Sequence, residues 1–246
     1  MSFVKKNLLK FNSGYPEKSI IHILVFFMIF TSVLGLIYHL GKISLLGNFI
    51  TEIYAVLFLI SPVLYLKYYK GTEKTDDSSI YLHILTGFAV SITVLSVYLG
   101  IYYFFFSLKC TDNQPVILGR NCRLFNDFVW PESLKYNLNV LAFHLIAVAW
   151  PEEYFYRGFI LPMILKSKSW KNSGFSPLVF TVVIQAVLFA AGHFLLDFNP
   201  IRLAVFFPAL LLGYLVIRTG SIIPGIIFHG LANYFSWVIE KGFFHS

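Results

Sequence analysis

Three short groups of polar residues stand out in a chain that is otherwise strongly apolar. The first is Glu152-Glu153-x-x-x-Arg157, which lies between two apolar runs. Ionisable side chains in such surroundings are costly to bury and are therefore functional candidates. On a helix, Glu153 and Arg157 are four residues apart and can form an ion pair, whereas Glu152 points about 100° away and lacks that partner. Glu152 is therefore the better candidate for a general base.

The second and third groups supply imidazoles and a carboxamide. His193 follows the apolar run Phe189-Ala190-Ala191-Gly192, and His229-Gly230-Leu231-Ala232-Asn233 places a histidine and an asparagine four residues apart, on one helical face. Hydrolysis of a peptide bond needs an activated water, a proton carrier and donors for the oxyanion. Glu152, His193, His229 and Asn233 together match these needs.

Other readings of the same residues stay open. In a purely structural interpretation, the charged residues at 152–157 only hold neighbouring helices together. Glu152, His193 and His229 would form a ligand set for catalytic zinc, although the chain has no H-E-x-x-H sequence. A carboxylate and two histidines also suit a proton or ion relay. Serine catalysis is disfavoured, because no G-x-S-x-G sequence is present and the relevant serines lie near the ends of apolar runs: Ser173, Ser176, Ser221 and Ser236.

Composition indicates that these residues lie in a membrane. Of 246 residues, 57% are hydrophobic and only 13% are charged, and the mean hydropathy is +0.72. We predict an all-α, polytopic bundle of about seven (six to eight) membrane helices, with Pro151 opening or kinking the fourth. The predicted spans are Ile20–Leu40, Phe49–Lys67, Ile80–Leu108, Leu138–Leu165, Pro177–Leu196, Ile201–Ile217 and Ile222–Ile239.

Positive charges predict the orientation. The net charge of +7 comes from residues scattered among short loops, which disfavours nucleic-acid binding and fits an excess of lysine on the cytoplasmic side. The N-terminus is then cytoplasmic. The residues that indicate this are Lys5, Lys6, Lys10, Lys18, Lys67, Lys70, Lys74, Lys166, Lys168, Lys171 and Arg218.

The connection at 109–135 is predicted to be extracytoplasmic. It contains the only two cysteines, Cys110 and Cys122, and a disulfide between them would suit an oxidising compartment. Two free thiols remain the alternative. We expect one integrated membrane domain, with an N-terminal three-span region at 1–137 and a catalytic core at 138–240.

The three motifs, in this order and on successive apolar helices, resemble those of the CAAX protease and bacteriocin-processing family of intramembrane endopeptidases. The resemblance covers about residues 138–240. It implies that Glu152 and His193 activate the attacking water, that His229 and Asn233 stabilise the oxyanion, and that Glu153 and Arg157 support the site. Some members resemble non-proteolytic scaffolds or immunity proteins.

The sequence and the resemblance together predict an intramembrane protease that processes C-terminal or membrane-anchored segments of other proteins. Its partners are then the lipid bilayer and a membrane-anchored protein or peptide substrate, in a prokaryotic inner or plasma membrane. The unpaired carboxylate favours a glutamate-type hydrolase without a cofactor, with zinc as the alternative. A membrane scaffold, an immunity-type protein and a proton- or ion-translocating protein are the alternative functions.

Overall fold

The computed structural model describes residues 18–41, 48–69, 80–110, 116–117, 120–121, 128–131, 133–167 and 177–243. Within these residues the architecture is a helical bundle, which confirms the predicted fold class. Most residues on which the orientation rests lie outside the described part of the chain. They are Lys5, Lys6, Lys10, Lys70, Lys74, Lys168 and Lys171, and the same holds for Cys122, Ser173 and Ser176.

Seven helical elements correspond to the seven predicted spans. Their bounds are α1 Ile20–Gly41, α2 Ile50–Tyr69, α3 Ile80–Lys109, α4 at 134–165, α5 Pro177–Asp197, α6 Phe206–Thr219 with a preceding 3-10 turn Pro200–Val205, and α7 Ile223–Phe243. Between α3 and α4, the two-residue strands β1 (Val116–Ile117) and β2 (Arg120–Asn121) pair antiparallel. Among the residues that the structure describes, this short pair of strands is the only departure from helical elements between α3 and α4.

Apolar composition explains why these segments are helices. A bilayer offers no partners to backbone N–H and C=O groups, and a helix satisfies them internally. By length and composition, five helical stretches in the described residues can cross a membrane: Ile20–Gly41, Ile50–Lys67, Ile80–Phe104, Pro177–Leu196 and Pro200–Thr219. The protein is therefore a polytopic membrane protein. The two remaining helices, α4 and α7, carry Glu152, Glu153, Arg157 and His229, and His193 lies on α5.

Helix α4 is not uniform. It consists of α-helical turns at Leu134–Phe143, Trp150–Glu153 and Leu161–Leu165, interrupted by π-helical turns at His144–Ala149 and Tyr154–Ile160. Ser133 caps its start, because the Ser133 side chain accepts a hydrogen bond from the N–H of Tyr136. Short π-helical turns inside α-helices are frequent at functional sites.

An aromatic cluster joins the N-terminal helices to α4. Phe155 of α4 stacks on Phe30 of α1, with ring centroids 4.5 Å apart, and meets Phe58 of α2 edge-on at 5.1 Å. Phe159, one turn further along α4, continues the cluster towards Phe26 of α1. These rings bury a large apolar area, so α1 and α2 hold one side of α4 in place.

Helix α7 packs against α3, α4 and α6 and completes the enclosure of the polar residues. It follows α6 through Gly220, whose φ of 74° ends that helix in the left-handed conformation. Gly87 of α3 permits the close approach of α7, since a Cβ there would lie 2.9 Å from the Ile227 Cβ. Two helices on opposite sides thus fix α7 against α4.

Candidate active site

The π-helical turns of α4 accommodate two prolines beside the polar motif. A proline has no N–H to donate, and its ring clashes with the carbonyl four residues earlier in an α-helix. The N–H of Trp150, directly before Pro151, instead bonds to the carbonyl five residues back, and Leu161 before Pro162 does the same. The wider turns therefore relieve the conflict. The helix continues through the predicted kink position and carries Glu152 at its centre.

Glu153 is the buried anchor of the site. It has no exposed surface, and its Oε1 lies 2.9 Å from Nη1 of Arg157 and 2.9 Å from Nδ1 of His229. The predicted pair with Arg157 is therefore present. The contact with His229 was not predicted, because it joins residues 76 positions apart on two helices. Glu153 thus connects the first motif to the third.

Glu152 points away from Arg157 and remains available for chemistry. Its side chain is 16% exposed, and its Oε2 lies 3.9 Å from Nε2 of His193 and 3.8 Å from Nε2 of His229. Both separations exceed a direct hydrogen bond. Within the described residues, Oε2 of Glu152 has no hydrogen-bond partner. One unbonded carboxylate oxygen therefore lies between two imidazole nitrogens.

The hydrogen bonds at Nδ1 decide what each imidazole offers at Nε2. His193 Nδ1 lies 3.0 Å from the carbonyl oxygen of Phe189, which can only accept, so Nδ1 carries a proton. The neutral ring of His193 then presents a lone pair at Nε2 towards Glu152. His229 likewise donates from Nδ1 to the carboxylate of Glu153. His229 can donate from Nε2 as well only when both of its nitrogens carry protons.

Aromatic and glycine contacts hold the charged groups in place. The guanidinium of Arg157 lies 4.2 Å from the centroid of the Phe189 ring, a cation–π arrangement. Gly225 of α7 allows close approach, because a Cβ there would lie 2.8 Å from Oε2 of Glu153. A Cβ at Gly192 would overlap the hydroxyl oxygen of Tyr156. These positions need the absence of a side chain for α4, α5 and α7 to converge.

The remaining predicted residues lie on the expected elements with fewer contacts. Asn233 is partly buried, one turn after His229 on α7, and within the described residues it makes no hydrogen bond. Cys110 is disulfide-bonded at the end of α3. Its predicted partner Cys122 lies outside the described residues, so that pairing stays a prediction.

Two further features of the site were not predicted. The ring of Phe189 contacts Arg157, His193 and His229, although it was read only as part of an apolar run. His144, on the first π-helical turn of α4, directly precedes Leu145, against which Gly230 of α7 packs. The only sequence signal for His144 was a histidine inside an apolar span.

The donor set of the site is chemically compatible with metal ligation, because both His193 and His229 direct Nε2 towards Glu152. Among the described residues, however, no group of three or more histidine, cysteine or carboxylate side chains is arranged to hold a metal ion.

Fold and site define a class of protein: a polytopic helical membrane protein with a carboxylate–histidine centre. Residues 135–235 match the model of the family described as "Type II CAAX prenyl endopeptidase Rce1-like". The resemblance seen in the motifs is confirmed: over this segment, which is less than half of the chain, the protein is similar to that family. No match was found among curated proteins or among solved structures. The family match supports a protease that acts at the membrane.

Proposed function

We propose that this protein is an intramembrane endopeptidase in which Glu152 and His193 activate water. The proposal rests on one observation: Oε2 of Glu152 makes no hydrogen bond to a described residue and lies within 4 Å of the Nε2 atoms of His193 and His229. Glu153, the neighbouring carboxylate, is fully buried and bonded to Arg157 and His229, so it is unsuited to exchange protons. The family match over these residues supports the same reaction class.

The proposed reaction begins when a water molecule donates a hydrogen bond to Oε2 of Glu152. The water oxygen attacks the scissile carbonyl carbon and forms a C–O bond, while its proton passes to Glu152. The lone pair at Nε2 of His193 accepts the second hydrogen of the same water and so orients it. Collapse of the tetrahedral intermediate breaks the C–N bond, and Glu152 returns the proton to the leaving amine.

His229 and Asn233 are the proposed oxyanion donors. The carboxamide of Asn233 supplies N–H groups that no described residue occupies. His229 donates from Nε2 when its ring is doubly protonated, since Nδ1 is held by Glu153. Donors aimed at the developing negative charge lower the barrier most effectively in a site that excludes water.

The test compares the C-termini of all cellular proteins in strains that express the wild type or Glu152→Gln. Glu52→Gln is the matched control, because Glu52 is exposed in the first turn of α2. We expect truncated C-termini with the wild type and with Glu52→Gln, and none with Glu152→Gln. Identical C-termini in all three strains would contradict the proposal and favour a scaffold. Proton flux into liposomes without peptide would favour transport.

We propose that the reaction needs no metal. A free carboxylate beside a neutral imidazole is sufficient to take the proton from water. Peptide hydrolysis should therefore survive dialysis against a strong chelator, and elemental analysis of the active protein should find far less than one zinc per chain. Activity that is lost with the chelator and restored by zinc would contradict this.

The proposed substrates are C-terminal or membrane-anchored segments of other proteins, reached from the extracytoplasmic side. Along α4, Glu152 lies ~21 Å from Lys166, the predicted cytoplasmic end, which supports a position in the middle or outer half of the membrane. An impermeant maleimide should label Val129→Cys in intact cells when Cys110 and Cys122 are replaced by serine. Val129 is exposed at 52% beside α4. Labelling only after permeabilisation would show that the connection lies on the cytoplasmic side and would contradict the proposed orientation.

A further inference from the structure

Helices α4 and α7 run antiparallel along the site, and two contacts define their alignment. His229 meets Glu153 at one level, with 2.9 Å between Nδ1 and Oε1. Further along, Gly230 lies against Leu145, because a Cβ on Gly230 would be 3.1 Å from the Leu145 Cα. His144 directly precedes Leu145, so it lies at the level of α7 just beyond His229.

His144 is a half-buried imidazole that the proposed reaction does not use. Its Nδ1 is buried and, within the described residues, has no hydrogen-bond partner. The residue is half-buried and its Nδ1 is buried, so the accessible edge of the ring is the one that carries Nε2. Its neighbour Leu145 packs against Gly230, the residue that follows His229. A titratable side chain therefore borders the site with one edge open.

The buried Nδ1 indicates which nitrogen of His144 carries the proton. An orphaned buried N–H loses its hydrogen bond to water without gaining another, which is unfavourable. The neutral ring avoids burying an N–H when its proton is on Nε2 and only a lone pair remains at Nδ1. The open edge of His144 then presents an N–H donor next to His229.

A peptide that enters this site needs such donors. Each residue of a peptide brings a carbonyl oxygen, and inside a membrane an unsatisfied carbonyl costs several kcal/mol. The donors nearest to this position are already engaged, because Nδ1 of His193 is bonded to a backbone carbonyl and Nδ1 of His229 to Glu153, and the carboxamide of Asn233 is assigned to the oxyanion. A donor beyond His229 would meet the carbonyl of a residue adjacent to the scissile bond.

We propose that His144 is a substrate-binding residue of this protease, donating a hydrogen bond from Nε2 to a main-chain carbonyl beside the scissile bond. The assignment rests on the proposed function and names a role for a residue outside the three motifs. Because the bond forms with the bound peptide before and during reaction alike, its loss raises KM and leaves kcat nearly unchanged.

The experiment measures hydrolysis of an internally quenched peptide that carries the cleavage site found in the comparison of C-termini. The protein is full length and in lipid nanodiscs, and the variants are His144→Phe, His144→Gln and Glu152→Gln. His39→Phe is the matched control, since His39 is exposed near the end of α1. Intrinsic tryptophan fluorescence on heating verifies that each variant is folded.

We expect His144→Phe to raise KM about tenfold, the effect of one lost hydrogen bond, with kcat within a factor of two. His144→Gln should restore most of the affinity, because its carboxamide N–H reaches towards the same place. An unchanged KM in His144→Phe would overturn the assignment, as would a fall in kcat alone or an equal defect in folded His144→Gln. Absence of hydrolysis by the wild type would instead overturn the proposed function, and the role of His144 with it.

Discussion

Two adjacent carboxylates should respond in opposite ways to the same substitution. Glu153 has no exposed surface and accepts hydrogen bonds from Arg157 and His229, each at 2.9 Å. Glu152 is 16% exposed, and its Oε2 has no hydrogen-bond partner among the described residues. Glu153→Gln should therefore damage the fold, whereas Glu152→Gln should damage only the reaction.

The expected change in the free energy of unfolding follows from the groups that each substitution leaves without a partner. Glu153→Gln leaves the guanidinium of Arg157 buried without a counter-charge, which costs about 3–5 kcal/mol. The remaining carbonyl oxygen of the glutamine still accepts one hydrogen bond, so the lower end applies. That loss lowers the melting temperature by on the order of 10 °C in a chain of this size. Glu152→Gln breaks no contact and should change stability by no more than about 0.5 kcal/mol.

Both variants can be measured in nanodiscs. Thermal unfolding is followed by intrinsic tryptophan fluorescence, and hydrolysis of the quenched peptide by the fluorescence that cleavage releases. Glu152→Gln should have the same melting temperature as the wild type. Its kcat should be lower by at least about 100-fold, which is the contribution of a general base. Equal melting temperatures for the two variants would refute the assignment of Glu153 as anchor. Residual activity of Glu152→Gln near the wild-type value would refute Glu152 as base.

Three further substitutions test the packing around the site. Gly192→Ala should lower the free energy of unfolding by roughly 1–3 kcal/mol, because the new Cβ would overlap the Tyr156 hydroxyl. Adding Tyr156→Phe should restore most of that loss, as a double-mutant cycle of melting temperatures would show. Arg157→Lys keeps the charge but loses the flat contact with the Phe189 ring, so the free energy of unfolding should fall by about 1 kcal/mol. An unchanged melting temperature would count against the cation–π contact. Gly220→Ala should cost about 1 kcal/mol in thermal unfolding, because φ is 74° there, and no change would contradict that conformation.

Hydropathy predicted the helices well. Each of the seven predicted spans has a corresponding helix, and most ends agree within a few residues. One difference is at α4, which begins at Leu134 and not at Leu138, because Ser133 caps a polar first turn that hydropathy does not register. The π-helical turns around Pro151 were also missed, since hydropathy does not distinguish one helical hydrogen-bonding pattern from another.

The local pairing within the first motif was predictable for a simple reason. Helical periodicity places Glu153 beside Arg157 and turns Glu152 away, and the structure has the Glu153–Arg157 ion pair at 2.9 Å. The contact of Glu153 with His229 was not predictable in this way. It depends on how α4 and α7 pack, and spacing within one helix carries no information about the distance between two helices.

Sequence by itself therefore determined the membrane class, the order of the helices and which carboxylate lacks a partner, because those properties follow from hydropathy and helical periodicity. Only the tertiary structure decided that Oε2 of Glu152 faces the Nε2 atoms of both His193 and His229. It also brought His144 to the edge of the same site. These positions arise from close contacts at Gly192, Gly225 and Gly230, where three helices converge because no side chain separates them.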